Sequence, residues 1–160
     1  MKKYLWIWLA AVLSSSDLCR AEVAKRPPIS IAITTDAAVV KAGSSVWIKV
    51  HLKNVSKHTV DASSSINDMI GVDPSYHFDV RDAFGGLAQK KIFEHLELAT
   101  GHSISRSLKP GETIVDEEEV SRIHDMSRAG TYVIQVTRDI SAKPKDGVVR
   151  SNKIMVTITE

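Results

Sequence analysis

Six histidines are the first residues to weigh for chemistry: His51, His58, His77, His95, His102 and His124. A zinc centre needs three or four ligands brought together. The tightest pairing here is His77 with Asp79, which a strand would place on one face, the outer one if Tyr76 and Phe78 point in. Two ligands do not complete a site, so the histidines read as solvated surface residues, with no metal site and no cofactor expected. Ser63-Ser64-Ser65 offers hydroxyls but no G-x-S-x-G elbow, and a serine hydrolase needs a base and an oxyanion hole beside its nucleophile. That run reads as loop. No catalytic residue is assigned, and the chain is expected not to be an enzyme. Asp116-Glu117-Glu118-Glu119 holds carboxylates for a hard cation but lacks the D-x-D/N-x-D/N-G spacing of a calcium loop. It reads as a charged edge strand that resists edge-to-edge pairing.

The residue that points to binding is Trp47. It is out of phase with Val46, Ile48, Val50 and Leu52, so it faces away from their core, next to Lys49 and His51. Tryptophan is enriched at binding hot spots because it offers a large apolar surface with a polar handle. Phe84, before the Gly85-Gly86 turn, is a second exposed aromatic. Trp47, Lys49, His51 and Phe84 form the candidate binding surface.

The elements that must hold these residues show a period of two. Ile29, Ile31 and Ile33 alternate with smaller or polar residues. So do Val46, Ile48, Val50 and Leu52; Tyr76, Phe78 and Val80; Tyr132, Ile134 and Val136; and Ile154, Val156 and Ile158. Strict alternation means a strand with one face on a core and one in water. Weaker strand candidates are Thr59–Ala62, Lys90–Glu94, Ser103–Leu108 and Thr113–Val120. Lys109-Pro110-Gly111-Glu112 has the chemistry of a type II turn, with Pro at the pre-set φ and Gly where φ is positive. Only Val120 to Arg128 looks helical, and Asn67 to Pro74 reads as an irregular loop. Gly130 and Tyr132 open a strand, where a Tyr of an immunoglobulin-type sandwich bonds back to the backbone at the sheet corner. The expected fold is an all-β, immunoglobulin-like β-sandwich of seven to nine antiparallel strands. An unpaired Ile154–Thr159 would be a sticky edge.

Length and composition fit one domain behind a targeting segment. The chain has 160 residues, 43% hydrophobic and 25% charged, with a formal net charge of +2. These values exclude a disordered chain, and no positive block suggests nucleic acid. Lys2 and Lys3 precede the apolar run Tyr4–Leu13, which suits the h-region of a secretory signal and is too short to span a membrane. Cleavage is expected after Ala21, leaving residues 22–28 as a linker ahead of a domain over residues 29–160. Lys+Arg then falls from 21 to 18 and Asp+Glu from 19 to 18, so the exported form is neutral. Cys19 is the only cysteine and goes with the signal, so the exported form has no disulfide or thiol chemistry. The location implied is periplasmic or extracellular, without stable membrane insertion once the signal is removed.

The order of the turn and strand signals resembles a group of secreted bacterial immunoglobulin-like sandwich proteins of unknown function. The residues carrying this are Lys41-Ala42-Gly43, Leu52-Lys53-Asn54, Val80-Arg81-Asp82 with Gly85, Leu108-Lys109-Pro110-Gly111-Glu112, Ala129-Gly130-Thr131-Tyr132 and Ser151-Asn152-Lys153-Ile154. The layout is also similar to bacterial proteinase inhibitors with an Ig-like fold, which place a Pro-Gly-Glu turn before a Gly-x-Tyr strand. The resemblance implies the architecture and no inhibitory residue. Two functions follow as expectations: a non-enzymatic module that binds a protein or glycan through its loops and the Trp47 face, or a proteinase inhibitor using residues 62–75 or 84–103 as an extended loop. An enzyme with a divergent metal site is the third and weakest reading.

Overall fold

Alternation in the sequence becomes alternation in burial. The computed structural model describes residues 27–68, 70–93, 100–140 and 147–160. Strand β1 (Ile29–Thr34) buries every second residue. After β2 (Val39–Lys41), β3 (Trp47–Asn54) buries Ile48, Val50 and Leu52 and turns Trp47, Lys49 and His51 outward. Burying an aliphatic side chain of this kind contributes about 1.5–3 kcal/mol, and a one-residue slip would put the whole set in water. The chain continues through β4 (Val60–Asp61), β5 (Ser64–Asn67), β6 (Tyr76–Asp82), β7 (Gly101–Ile104), β8 (Ser107–Leu108), β9 (Thr113–Glu119) and the single turn α1 (Val120–Ile123). It ends with the long strands β10 (Gly130–Asp139) and β11 (Val148–Thr159).

Seven strands make two facing sheets, ordered β1-β3-β9 and β2-β11-β10-β6. In chain order β1, β2, β3, β6, β9 and β10 alternate between the two sheets across the core, and only β10 and β11 follow one another within one sheet. Pairing is antiparallel except where short β2 runs parallel to the end of β11. This is an immunoglobulin-like β-sandwich. The sheets close over Ile33, Ile48, Leu52, Val80, Leu108, Ile134, Val136 and Val156, all nearly inaccessible. Two small pairs, β4 with β8 and β5 with β7, flank the sandwich.

Local chemistry sets the corners. The Glu112 N–H donates to the Lys109 carbonyl at 3.0 Å, and Gly111 has φ +80° after Pro110, a turn a β-carbon would strain. The Tyr132 hydroxyl donates to the Arg128 carbonyl at 3.1 Å, tying the start of β10, just after Gly130, to the segment before it. Tyr132→Phe keeps the buried ring and removes this bond. A loss of about 1 kcal/mol is expected from urea unfolding, and an unchanged midpoint would show that the bond adds nothing.

Three expectations are corrected, and the condition set on the 154–159 edge is not met. Ser64 and Ser65 are not loop: they belong to β5, held by antiparallel pairing with β7. The helical stretch ends at Ile123 rather than Arg128, because the His124 backbone is already extended. The 154–159 segment is paired: β10 pairs with Ile154 to Ile158, and β2 with Thr157 to Thr159. Of Lys90–Glu94, the described residues show only an isolated bridge from Lys90 to His124. The expected signal, most of the linker and His95 lie outside the described residues. Among those described, no helix is long and apolar enough to cross a membrane.

Candidate functional site

Trp47, Lys49 and His51 stand in a row on the outer face of the three-stranded sheet. Central strand β3 places Lys49 and His51 between two neighbours and Trp47 beside one. Trp47 is paired with Glu119, Lys49 lies between Thr34 and Glu117, and His51 lies between Ala32 and Val115. Lys49 Nζ sits 2.5 Å from Asp36 Oδ2, and this hydrogen bond raises the ammonium's pKa above its ordinary value. His51 Nε2 and Thr34 Oγ1 are 3.0 Å apart, and Thr35 Oγ1 donates to the Trp47 carbonyl at 3.0 Å. The indole remains 51% exposed. It lines a groove of about 410 Å³ with Asp36, Val40, Ser45, Lys49 and Glu117. A flat apolar surface thus meets two carboxylates, an ammonium and a hydroxyl, the mixture that fixes and orients a ligand. Phe84 is not part of this face. It lies in the turn after β6, in the other sheet.

A second constellation lies between the sheets, and its inward direction went unread in the sequence. The acidic run on edge strand β9 splits by phase: Glu117 faces out, while Asp116 and Glu118 face in. The expectation of a purely solvent-facing charged edge is therefore corrected for these two. Tyr76 Oη donates to Asp116 Oδ2 at 2.6 Å, and Arg106 Nη1 donates to Asp116 Oδ1 at 2.6 Å. Arg106 also reaches the Ser64 hydroxyl. The Asp73 N–H donates to Glu118 Oε2 at 3.3 Å. Arg138, inward on β10, donates to the Ser63 carbonyl at 2.6 Å, stands 4.8 Å from the centre of the Tyr76 ring, and faces Asp73 at 3.8 Å. Burial pushes the Glu118 carboxyl up to about 8, and the carboxylates of Asp73 and Asp116 add to the shift. Burial likewise raises the Tyr76 phenol. The available signal was phase: Asp116 and Glu118 share that of Ile114, and Arg138 that of Ile134 and Val136. These groups pair with one another incompletely: Asp73 Oδ2, Arg138 Nη1 and Arg106 Nε are buried with no hydrogen-bond partner among the described residues, while the bonds that do form tie the edge strand and Asp73 to the sandwich.

The histidines divide. His77 Nε2 lies 3.3 Å from Asp139, while Asp79 pairs with Arg81 at 2.9 Å, so the His77–Asp79 pairing does not form. His102 pairs with Asp68 at 3.1 Å. His124 corrects the expectation of surface histidines: it is buried, and desolvation lowers its pKa. Among the described residues, no three His, Cys, Asp or Glu side chains gather as a metal-ligand set. The two segments considered as inhibitory loops are partly tied down, since β5 pairs with β7 and residues 86–88 pair back onto β6.

No protein-family model matches the chain, and no curated protein matches it. Several solved structures do. One is the CARDB domain of a Pyrococcus furiosus protein, in complex with di-metal ions, at 18% identity over 82% of this chain and 93% of that one, with a TM-score of 0.43. Another is an alkylpurine DNA glycosylase of Pseudomonas fluorescens bound to DNA with an abasic-site analogue, at 15% identity over 83% of this chain and 31% of that one, TM-score 0.44. A third is BslA, a bacterial hydrophobin, at 10% identity over 84% of this chain and 97% of that one, TM-score 0.39. At these values nothing about those proteins' ligands carries over, and the fold assignment rests on the strand order and register described above.

Proposed function

We propose that the chain is an exported, non-enzymatic binding module whose Trp47 face meets a protein or a glycan. The observation that supports this reading most is an indole left half exposed over a groove, with charged residues fixed around it. The face sits on the central strand of a sheet, so its geometry is rigid before any partner arrives, and preorganisation lowers the entropic cost of association. Recognition is then by surface complementarity: the partner covers the indole, and Lys49, Asp36 and Glu117 set the register.

The test uses the exported protein as bait in an extract of its own envelope and culture fluid, beside a glycan array. A single retained protein or glycan is expected. Trp47→Ala should reduce its retention at least about 30-fold, the size of a hot-spot loss of about 2 kcal/mol. The same substitution should move folding stability by no more than about 0.5 kcal/mol, as for other surface changes. Equal retention by the variant would remove Trp47 from the account. A retained protease inhibited stoichiometrically would replace this reading with inhibition.

A further inference from the structure

The sandwich leaves one long strand edge without a partner. Its two main sheets end in β1 and β9, and in β2 and β6. Three of these edges are short or guarded. The Asn152 amide takes both backbone groups of Ile33 on β1, accepting its N–H at 2.8 Å and donating to its carbonyl at 3.0 Å. Residues 86–88 fold back on β6, where the Ala88 N–H donates to the Val80 carbonyl at 2.9 Å. β2 is three residues long. β9 runs for seven residues and, among the described strands, pairs only with β3. The Val120 N–H donates to the Val46 carbonyl at 2.9 Å and the Asn54 N–H to the Glu112 carbonyl at 3.0 Å, and the register between them is unbroken. Even-numbered residues of β9 therefore bond β3, and the N–H and C=O groups of Thr113, Val115 and Glu117 point off the sheet. No described backbone group bonds to them.

Such an edge accepts an extended chain, which pairs with it as a further strand. The side chains decide which chain. Of the acidic run, Asp116 and Glu118 are turned into the sandwich, so the outer face of the edge shows Thr113, Val115, Glu117 and Glu119. Both signs of charge lie nearby, so selection is by position rather than by net charge. Lys53 lies across from Thr113 and disfavours a cation there. Val115 is apolar and 48% exposed. Glu117 has Lys49 across from it, but Asp36 holds that ammonium at 2.5 Å. Glu119 accepts the Ser121 hydroxyl at 3.2 Å and shares a groove with Lys91, Arg122 and Asp125. Glu117 is the carboxylate left to face an added strand. In antiparallel pairing, directly opposed residues of opposite charge attract and like charges repel. A second β9 would gather Glu117 and Glu119 of both copies on two strands with no cation on that face.

We propose that β9 is a docking edge for an extended peptide segment of a partner protein. The segment pairs antiparallel, with a basic residue opposite Glu117 and, two residues later, an apolar residue opposite Val115. The added strand lies about 10 Å from β3, so the Trp47 row stays open while the edge is filled.

The test titrates the isotope-labelled full chain with the capped hexapeptide TKTVTT, up to about 1 mM, and follows backbone amide signals by NMR. Its lysine falls opposite Glu117 and its valine opposite Val115. Shifts should centre on residues 113–119. The peptide TETVTT should bind at least about fivefold more weakly, since it trades an attractive pair for a repulsive one. TKTVTT N-methylated at its lysine and valine, whose N–H groups face β9, should lose at least about tenfold, because main-chain bonds carry the affinity. Val115→Pro removes an edge N–H that β3 does not use, a position where a strand tolerates proline. It should weaken binding similarly while its urea midpoint shows the fold intact. If that variant unfolds, the surface change Glu117→Lys decides in its place, and it should reverse the preference between the two peptides. No shift along 113–119 with either peptide, or equal binding by the N-methylated one, overturns the proposal. Shifts confined to Trp47, Lys49 and His51 overturn it too, because the peptide then sits in the groove beside Trp47. So does pairing of the chain through β9 at high protein concentration without peptide, which makes a second copy the occupant.

Discussion

Arg138→Ala should be the most damaging single change in the described structure, lowering stability by about 3–5 kcal/mol in urea unfolding. Arg138 points into the sandwich from β10 and is nearly inaccessible. Its guanidinium donates to the Ser63 carbonyl, lies over the Tyr76 ring and is the cation nearest the buried Asp73 carboxylate. Alanine removes all three and leaves Asp73 facing Glu118 with no compensating charge. An uncompensated buried carboxylate costs far more than a lost surface ion pair, because no water replaces the missing partner. The size of the loss is not the net worth of the pair. Arg138→Met with Asp73→Asn removes both charges and roughly keeps the volume, and it should recover most of the stability. A loss below about 1 kcal/mol for Arg138→Ala would mean that water reaches the network.

This network also marks where the sequence stops being legible. The strands and their faces follow from alternation: Ile48, Val50 and Leu52 point in, and Trp47, Lys49 and His51 point out. The Pro110-Gly111 turn and the Tyr132 corner follow from residue types whose backbone preferences are narrow. Trp47 was legible as an outward aromatic for the same reason, although the groove beside it was not, since Asp36 and Val40 reach it only through the crossover from β1 to β2. Binary pattern fails where inward positions are polar. Asp116, Glu118 and Arg138 occupy core-facing phases, but a charged residue reads by default as solvated. What makes inward charge tolerable is a set of partners from β6, β10, Asp73 and Arg106, far apart in sequence, and a long-range pairing of that kind leaves no local signal. Short β2 and β5 escaped for a related reason. Each is defined by a neighbour, β11 or β7, rather than by its own pattern.

The second large effect concerns pH. Glu118 titrates at about 8 in the folded protein against an ordinary value of 4.5, chiefly because it is buried. The folded state therefore holds this proton over a range where the unfolded chain has released it. Folding is favoured by neutral Glu118 below pH 4.5, and that contribution is lost as pH rises towards 8, with a slope of up to about 1.4 kcal/mol per pH unit. The groups around it give the sign a structural reason. Asp73 and Asp116 are the neighbouring carboxylates and Arg138 the nearby cation. With Glu118 neutral, Asp73 and Asp116 are matched by Arg106 and Arg138; ionising Glu118 adds a third negative charge beside Asp73. Glu118→Gln keeps an acceptor for the Asp73 N–H and removes the titration. The variant and the wild type should be close in stability near pH 4.5, and the variant should be more stable by on the order of 3 kcal/mol at pH 8. Urea midpoints measured from pH 4.5 to 9 read this difference directly, and other titrating groups cancel between the two chains. Stability curves that run parallel across that range would show that Glu118 is ionised in the folded protein, and the edge strand would then be held by charges already in balance with water.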